Sequence, residues 1–402
     1  MHQGTNLVYA KQYNLRIVHE VVRRFGPLSR GDIARRTGLT VQTISNLVKE
    51  LLALGLVFET ERRPQRRGAP SSAIGINPEG TFALGLDLDR DHLTGVVVDL
   101  AGGVRQRKHV DLDFPTPSEA LDLMVETAES LMAAQGLAPD EVSGVGVGVP
   151  GLMHRAEDGQ GYVVNPTSFP GWHDVPLAAW LRERLGMPVL LENNATAAAI
   201  GERLYGAGQR FRTFFYVYIG SGLGGGVVIE GQAYPGFTGN AGEIGYLPTV
   251  LSGDPTGTDE TPHVGTHFRL PRLYQLLRAE GREARTPDDL DRLLSEGNAT
   301  LLEWMDDAAD HLTGLVLAVE YVLDPEAIFF GGRLPKRVIA GLMERVACHL
   351  PKRRIAGKVA GPRHLLATAG ADAAALGVAT LPIYEAFAPA PHILLKKAAA
   401  RT

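Results

Sequence analysis

Three polar residues, Glu192, Asn193 and Asn194, follow an apolar run at 189–191 and lead directly into an alanine-rich segment. This order is typical of a buried strand that passes straight into a helix. In an α/β sheet, ligands bind at the carboxyl ends of strands, because side chains there face a crevice and the next helix presents free N–H groups. Amides and carboxylates can hydrogen-bond a small polar molecule, but the amide of Asn194 cannot accept a proton as a carboxylate does. The segment therefore predicts a binding site and leaves open what the site does to its ligand.

The length and composition of the chain limit what can surround this site. Its 402 residues are enough for two or three domains with a sizeable core. The single cysteine, Cys348, excludes an intrachain disulfide and a cysteine-based zinc cage, and this usage is typical of a reducing cytoplasm. The N-terminus lacks a basic-then-apolar signal pattern, and no apolar run approaches the ~20 residues that span a bilayer. We therefore expect a cytoplasmic protein with no membrane partner.

The charge is distributed unevenly along the chain. Residues 1–78 contain 12 Lys and Arg against 5 Asp and Glu, a net charge of +7, so the remainder carries −12 of the total of −5. A basic small module on an acidic large body indicates a polyanionic partner for the first part only. An accidental split of charge remains the alternative until a motif supports the partner.

Such a motif lies in the first 60 residues. Apolar residues at helical spacing predict a helix over 14–25, and Ser29 and Gly38 are a suitable cap and stop for a second helix over 30–37. Thr40 begins a third helix that runs to about residue 54. The outward-facing residues of this third helix are Gln42, Thr43, Ser45, Asn46 and Lys49.

Two short helices joined by a glycine turn, the second with a polar outer face, predict a helix-turn-helix. Gln42, Thr43, Ser45 and Asn46 are the candidates for contacts with base edges in the major groove. Arg30 and Lys49 suit DNA phosphates. The alternative for three short amphipathic helices is a generic structural bundle or a protein-interaction module.

A basic hairpin follows the helices. Residues 56–58 and 74–76 have the pattern of two strands, and the segment between them contains Arg62, Arg63, Arg66, Arg67 and Gly68. This arrangement predicts a wing. Arg66 and Arg67, next to Gly68, could enter a narrow minor groove. Taken alone, each arginine fits a phosphate contact or a solvated loop charge better than base recognition.

Strand and helix patterns alternate over residues 82–387. Apolar strands are predicted at 82–88, 93–100, 145–149, 213–219 and 327–330, with helices at 120–135 and 301–322. A strand-strand meander opens both halves, which favours two related lobes with a cleft between them. The predicted fold class is therefore α/β: a winged helix-turn-helix (1–78) followed by two actin-like, ribonuclease-H-like lobes (79–195 and 196–402).

The order of motifs resembles the ROK family (repressor, open reading frame, kinase) from about residue 14 to 380. After the winged helix come Asn165-Pro166, Glu192-Asn193, a glycine loop at 220–226 and the run 239–245, which reads Gly-Asn-Ala-Gly-Glu-Ile-Gly. The family contains sugar kinases without the N-terminal module and sugar-responsive repressors with it. The resemblance implies that Asn165, Asn193 and Glu243 hydrogen-bond sugar hydroxyls, with Gly239 and Asn240 shaping an adjacent loop.

Two departures from the family pattern concern catalysis. Family kinases use an Asp to take the proton from the attacking sugar hydroxyl, and Asn194 occupies that position here; loss of a general base typically costs ~10²–10⁴ in rate. Their first phosphate loop reads Asp-x-Gly-x-Thr, whereas residues 87–91 read Asp-Leu-Asp-Arg-Asp. Asp89 and Asp91 would repel a triphosphate. We therefore expect no catalytic residue, no kinase activity and no cofactor.

Two further departures concern metal and ligand. The resemblance implies a structural zinc site built from a His and a cysteine cluster, but Tyr246 stands at the His position and residues 249–266 contain no cysteine. No metal is expected, and His263 and His267 are interpreted as surface residues. In the family the histidine also contacts the sugar, so Tyr246 is expected to alter the choice of ligand, by a hydroxyl contact or by stacking, or to close the site.

The hypothesis for the whole chain is a sugar-responsive transcriptional regulator, a repressor by the resemblance. Its partners would be a palindromic double-stranded DNA operator and a sugar effector, and its state a homodimer or a dimer of dimers. One alternative is an ATP-dependent sugar kinase that also binds DNA. Another is a regulator of the same type that responds to a protein partner and to no sugar.

Overall fold

The computed structural model describes residues 7–60, 72–156, 161–166, 169, 171–249, 263–358 and 361–388. They form an N-terminal helical module with a small antiparallel sheet, followed by two five-stranded mixed sheets and their helices. The predicted α/β fold class is confirmed. Each helix in these residues is either too short or too polar to span a membrane.

The N-terminal module has the predicted helix-turn-helix. Its elements are α1 (Leu7–Phe25), β1 (Leu28–Ser29), α2 (Arg30–Thr37), α3 (Val41–Ala53), β2 (Val57–Glu59) and β3 (Ala73–Ile76). The Ser29 hydroxyl accepts from the Asp32 N–H at 3.1 Å, and Gly38 ends α2 in a left-handed conformation. Thr40 caps α3 as predicted. The first helix begins at Leu7 and not at residue 14, because its first turns lack the apolar spacing on which the prediction rests.

A three-stranded sheet follows, with β3 between β1 and β2. The antiparallel pairing of β2 with β3 confirms the two strands of the predicted wing. The pairing of β1 with β3 is an addition that two residues of sequence could not indicate. The wing tip at 61–71, with Arg62, Arg63, Arg66, Arg67 and Gly68, lies outside the described residues, so its DNA contacts stay predictions.

The first lobe is built on a sheet of order β10-β7-β4-β5-β6. Its elements are β4 (Phe82–Leu88), β5 (His92–Asp99), β6 (Val104–Asp111), α4 (Pro117–Gln135), β7 (Val142–Val149), β8 (Leu152–Arg155), β9 (Tyr162–Asn165), α5 (Leu177–Leu185) and β10 (Val189–Asn193). β8 and β9 form a separate hairpin. Trp172 anchors the segment after this hairpin, because its buried indole donates to the Pro115 carbonyl at 2.9 Å.

The second lobe repeats this arrangement with the strand order β13-β12-β11-β14-β15. Its elements are α6 (Asn194–Tyr205), β11 (Phe214–Ile219), β12 (Leu223–Ile229), β13 (Gln232–Ala233), α7 (Leu270–Ala279), α8 (Pro287–Ser295), α9 (Ala299–Val322), β14 (Ala327–Gly332), α10 (Lys336–Arg353), β15 (Arg363–Leu366) and α11 (Ala373–Phe387). In both sheets an antiparallel hairpin is continued by two parallel strands. This correspondence accounts for the doubling that the sequence pattern predicts.

Two helices lie between the sheets. α6 packs on β11 and β12, α11 packs on β4, β5 and β7, and the two helices pack on each other. A Cβ atom at Gly377 of α11 would collide with the Ala197 carbonyl oxygen of α6, so the helices approach closely only because the residue is glycine. α11 belongs to the predicted segment 196–402 but covers the first sheet, so the chain returns to its first lobe at the end.

This close approach predicts opposite effects for two mid-helix glycine substitutions. Gly377→Ala should lower the free energy of unfolding by about 1–3 kcal/mol, because overpacking forces the helices apart. Gly314→Ala, on the open face of α9 with no atom within 4 Å of its Cβ, should raise it by about 0.5–1 kcal/mol through helix propensity. Urea denaturation measures both. Equal effects of the two substitutions would contradict the packing argument.

Candidate functional site

A cleft of about 750 Å³ lies between the two lobes. The corner where β10 meets α6 supplies Asn193 and Asn194, and the β4–β5 and β11–β12 connections supply a second side. The third side comes from two 3₁₀ turns, Ile244–Tyr246 and Val264–Phe268, and the start of α7. Of the residues predicted to contact a sugar, Asn193, Asn194, Glu243 and Tyr246 lie in this wall.

Asn193 connects the helix to the opposite lobe. Its side-chain oxygen, Oδ1, accepts from the backbone N–H groups of Ala195 and Thr196, at 2.8 and 3.4 Å, and so caps α6. Its amide nitrogen donates to Glu243 Oε1 at 2.9 Å. One side chain therefore fixes the start of α6 and holds a carboxyl group of the second lobe beside it.

The two glutamates near this corner have different surroundings. Burial raises the pKa of both Glu192 and Glu243 to about 7. Glu243 faces the cleft, whereas Glu192 accepts from the Asn193 N–H at 2.9 Å and is absent from the cleft wall. Near neutral pH, Glu243 can therefore be either a donor or an acceptor for a ligand hydroxyl. Asn194, which is 6% exposed, adds an amide.

The other side of the cleft is where the resemblance implies phosphate binding, and the two loops there are fastened together. The Ser221 hydroxyl in the β11–β12 turn donates to Asp89 Oδ1 at 2.7 Å. The Arg90 guanidinium lies over Gly222, 3.0 Å from the position of a Cβ on that glycine. A nucleotide phosphate would have to displace both contacts.

The predicted charge repulsion by Asp89 and Asp91 is weaker than the sequence alone indicates. His92 lies 2.7 Å from Asp91 and 3.5 Å from Asp87, and these carboxylates offset its burial and raise its pKa to about 9. The imidazolium therefore neutralises Asp91. Burial, with the charge of Asp91, raises the pKa of Asp89. The obstacle to a triphosphate is thus mainly the hydrogen-bonded loops and not a negative field.

His263 is not the surface residue that was predicted. It lines the cleft, donates from Nδ1 to the Gly245 carbonyl at 2.7 Å, and its ring lies 5.4 Å from that of Tyr246. His267 is half buried against α9 and is separated from this contact. Tyr246 is 39% exposed and stands at the wall of the cleft without filling it, so its predicted effect on the choice of ligand remains open.

Three residues predicted to contact or shape the sugar site lie outside the cleft wall. Asn165 exchanges hydrogen bonds with Asp174, at 2.6 and 2.8 Å. The Asn240 amide pairs with the Met153 backbone, accepting at 2.8 Å and donating at 2.7 Å, and Gly239 turns the chain beside it with φ +90°. Their present partners hold loops together, so sugar contact by these three stays a prediction.

Cationic side chains that were not predicted from the sequence also line the cleft. Arg90 lies within the segment 87–91, of which only the carboxylates were assigned an effect on phosphate binding. Arg269 and Arg272 come from the start of α7, beyond residues 250–262, so their positions could not be inferred from spacing. Together they make the side away from Asn193 suitable for a polar or anionic substituent on a ligand.

The predicted DNA-contacting residues of α3 differ in their exposure. Gln42, Asn46 and Lys49 are exposed, and their i, i+4, i+7 spacing places them on one face of the helix. The Thr43 hydroxyl contacts that of Thr40 at 2.9 Å, next to the helix cap.

Two other residues predicted to contact DNA, Ser45 and Arg30, also make hydrogen bonds within the module. The Ser45 hydroxyl donates to the Val41 carbonyl at 2.9 Å. The Arg30 guanidinium makes two hydrogen bonds to Glu59, at 2.8 and 3.1 Å, so a phosphate would have to replace this carboxylate. Val41 itself is 56% exposed at the start of α3. Its apolar side chain is therefore a further candidate, for contact with a thymine methyl group, that a search for polar residues does not reveal.

Two known families match this chain. The profile described as the ROK family matches residues 83–384, and that described as the MarR family matches residues 14–68. The chain belongs to the ROK family. This assignment confirms the predicted resemblance, and the second match agrees with the winged-helix module.

Individual relatives and solved structures agree with this. The xylose repressor of Bacillus spizizenii is 28% identical over 245 residues, which span 61% of this chain and 62% of the repressor. A crystal structure of a ROK family transcriptional regulator, a homolog of the E. coli MLC protein, has a TM-score of 0.72 at 21% identity and covers 94% of this chain and 100% of that one. A crystal structure of a ROK family glucokinase from Streptomyces griseus has a TM-score of 0.62 at 23% identity and covers 75% of this chain and 98% of that one. The winged-helix and repressor similarities support a DNA-binding regulator.

The raised pKa of Glu243 predicts that this residue lowers the free energy of unfolding by an amount that depends on pH. The folded state keeps the proton of this carboxyl up to about pH 7 and the unfolded state loses it near 4.5, so stability should fall as the pH rises between these values. Glu243→Gln removes this effect. Relative to the wild-type protein, its free energy of unfolding should gain about 2–3 kcal/mol between pH 5 and pH 8, measured by urea denaturation.

Glu303→Gln, on the exposed face of α9, is the matched control for the exchange of a glutamate for a glutamine. A Glu243→Gln difference that does not change with pH would show that Glu243 ionises normally.

Proposed function

We propose that this ROK protein is a sugar-responsive DNA-binding transcriptional regulator, a repressor, whose kinase-like body binds a sugar or sugar derivative without phosphorylating it. The observation that carries the proposal is the corner at Asn193 and Asn194. It retains hydrogen-bonding groups for a polyhydroxylated ligand, it lacks the general base, and it begins a helix whose other end lies beside the DNA-binding module.

The chemistry of the corner supports recognition of sugar hydroxyls. Vicinal hydroxyls need several donors and acceptors in fixed directions, and Asn193, Asn194 and Glu243 present amide and carboxyl groups on one side of the cleft. The similarity to a repressor named for xylose favours a sugar as the effector. The arginines across the cleft fit a substituent that is more polar than a hydroxyl.

The same groups argue against phosphoryl transfer. Asn194 has no useful basicity, so the sugar hydroxyl would lose its proton without assistance. The contact between Asp89 and Ser221 closes the phosphate side, and Arg90 lies over the glycine turn. Asn194→Asp would restore only one of these features.

α6 is the proposed route from the cleft to the DNA-binding module. It begins at Asn194 in the cleft and ends at Tyr205, which packs against the core shared by α1, α3 and the C-terminal end of α11. Arg16 of α1 donates to the carbonyl groups of Glu385 and Ala388, at 2.8 and 3.1 Å. A ligand that changes the position of α6 would therefore also move the module.

Such a movement controls DNA binding only if the ligand has different affinities for two states of the protein. In a homodimer or a dimer of dimers, the two states would differ in the spacing of the helix-turn-helix modules. These modules read half-sites a helical turn or its multiples apart, so the operator is proposed to be palindromic. A protein partner instead of a sugar is the alternative trigger, and a sugar kinase with a DNA-binding module is the alternative function.

Sugar binding can be tested without disturbing the fold. Thermal shift of the full chain with a panel of pentoses, hexoses, amino sugars and their phosphates should show stabilisation by at least one compound. Asn193→Ser keeps a helix cap but loses the amide that reaches Glu243, so it should retain the unliganded stability and lose most of the ligand-induced shift.

Stabilisation by no compound would support control by a protein partner. A coupled ATP assay with the same panel addresses catalysis: we expect no turnover by the wild-type protein or by Asn194→Asp. Turnover that disappears in Glu243→Ala would establish the kinase alternative.

Two substitutions on the exposed face of α3 should separate base recognition from phosphate binding. Gln42→Ala should cost about 1–3 kcal/mol at one operator base pair and relax the preference there. Lys49→Ala should weaken binding to all sequences and reduce the slope of log affinity against log salt by about 1. Binding to selected DNA over a salt series measures both, with Lys352→Ala in α10 as a control. Unchanged operator affinity in both variants would refute the assignment of α3.

A further inference from the structure

We propose that His267, Asp307 and His311 form a binding site for a divalent transition-metal ion on the outer side of α9. This site is separate from the effector cleft and shares no residue with the His and cysteine positions at which the resemblance implies zinc. The proposal of this metal site does not depend on whether the cleft binds a sugar.

The three side chains come together from two segments. Asp307 and His311 lie one turn apart on α9, so their side chains leave the same face of the helix. His267 comes from the turn Val264–Phe268 that crosses this face. His267 Nδ1 is 2.8 Å from one oxygen of Asp307, and His311 Nε2 is 3.7 Å from the other. The three ligand atoms lie within 4.8 Å of one another.

The turn that presents His267 is held against α9 by other contacts. The Trp304 indole donates to the His267 carbonyl at 2.9 Å. The buried ring of Phe268 packs edge-on against Trp304. These contacts fix the backbone of His267 before any ion is present, which lowers the conformational entropy that binding would cost.

The two imidazoles lie face to face beside one carboxylate. Their rings stack with centroids 3.5 Å apart, and each has a nitrogen near an oxygen of Asp307. Imidazole nitrogen together with a carboxylate oxygen is a common ligand set for divalent transition metals.

The neighbouring charges leave the site accessible to a cation. The Arg353 guanidinium pairs with Asp310 and hydrogen-bonds the Asp310 carbonyl, so its charge is offset by a carboxylate outside the set of ligands. His349, on α10, faces Asp310 at 3.8 Å. Both side chains are therefore directed at Asp310 and not at Asp307.

The donor set indicates the class of metal. Two nitrogens and one carboxylate suit Zn²⁺, Co²⁺ or Ni²⁺, whereas Mg²⁺ and Ca²⁺ prefer oxygen ligands alone. Bonds of about 2.0–2.2 Å place neighbouring ligand atoms about 3.3 Å apart. Small side-chain rotations therefore bring the three atoms to this spacing, and water would complete the coordination.

The test uses the full chain without a histidine tag, treated with chelator and dialysed. Titration with Zn²⁺ should give about one equivalent of bound metal and raise the melting temperature, and Co²⁺ should give a visible absorption band. His311→Ala and His267→Ala should weaken Zn²⁺ binding at least about tenfold and lose the Co²⁺ band. His349→Ala, which removes an imidazole of α10 that faces Asp310 and lies outside the set of ligands, should bind as the wild-type protein does.

Asp307→Asn is the variant that best preserves the fold, since it keeps the shape of the side chain and removes the charge. It should weaken Zn²⁺ binding while the circular dichroism spectrum is unchanged. Absence of binding by the wild-type protein to Zn²⁺, Co²⁺ and Ni²⁺ would overturn the proposal. So would equal binding by the wild-type protein, His311→Ala and Asp307→Asn, because the ion would then be held elsewhere.

Discussion

The close packing of α6 against α11 is the constraint on which the rest of the structure depends. Each helix covers one of the two sheets, so their contact sets the distance between the lobes and thereby the width of the cleft. Glycine and alanine at the contact allow backbone to meet backbone, as at Gly377 and Ala197. α6 carries Asn194 at one end and Tyr205 at the other. Its packing therefore also sets how the corner at Asn193 and Asn194 lies relative to the DNA-binding module.

A regulator can arise from a kinase-like body without a change in this framework. Asn193 caps α6 and hydrogen-bonds Glu243, the carboxyl group proposed to recognise the sugar, and neither contact needs a proton acceptor at residue 194. The phosphate side has its own internal partners, with Asp89 held by Ser221 and His92 held between carboxylates. In the proposed regulator, recognition and transfer would therefore depend on different residues of one cleft, so transfer could be lost while recognition remained.

The features that sequence predicts well are local ones. Caps at Ser29 and Thr40 and the strand Phe82–Leu88 follow from a few adjacent residues, because propensity and apolar period act at short range. The missed features join distant residues: α11 returns to the first sheet, and the Arg30 side chain pairs with Glu59. The cleft is predicted only in part. Its motifs can be recognised in the sequence, but the orientation of each side chain depends on partners in both lobes.

The histidines show why spacing along the chain is a poor guide to a site in a loop. His263 and His267 are four residues apart, yet one lies beside Tyr246 in the cleft and the other stacks on His311 of α9. The turn Val264–Phe268 begins directly after His263 and contains His267. It belongs to both places, because Gly265 lines the cleft and Phe268 packs on Trp304. An ion on the outer side and an effector on the inner side would therefore order the same turn. By thermodynamic reciprocity, any such coupling must act equally in both directions on the two affinities.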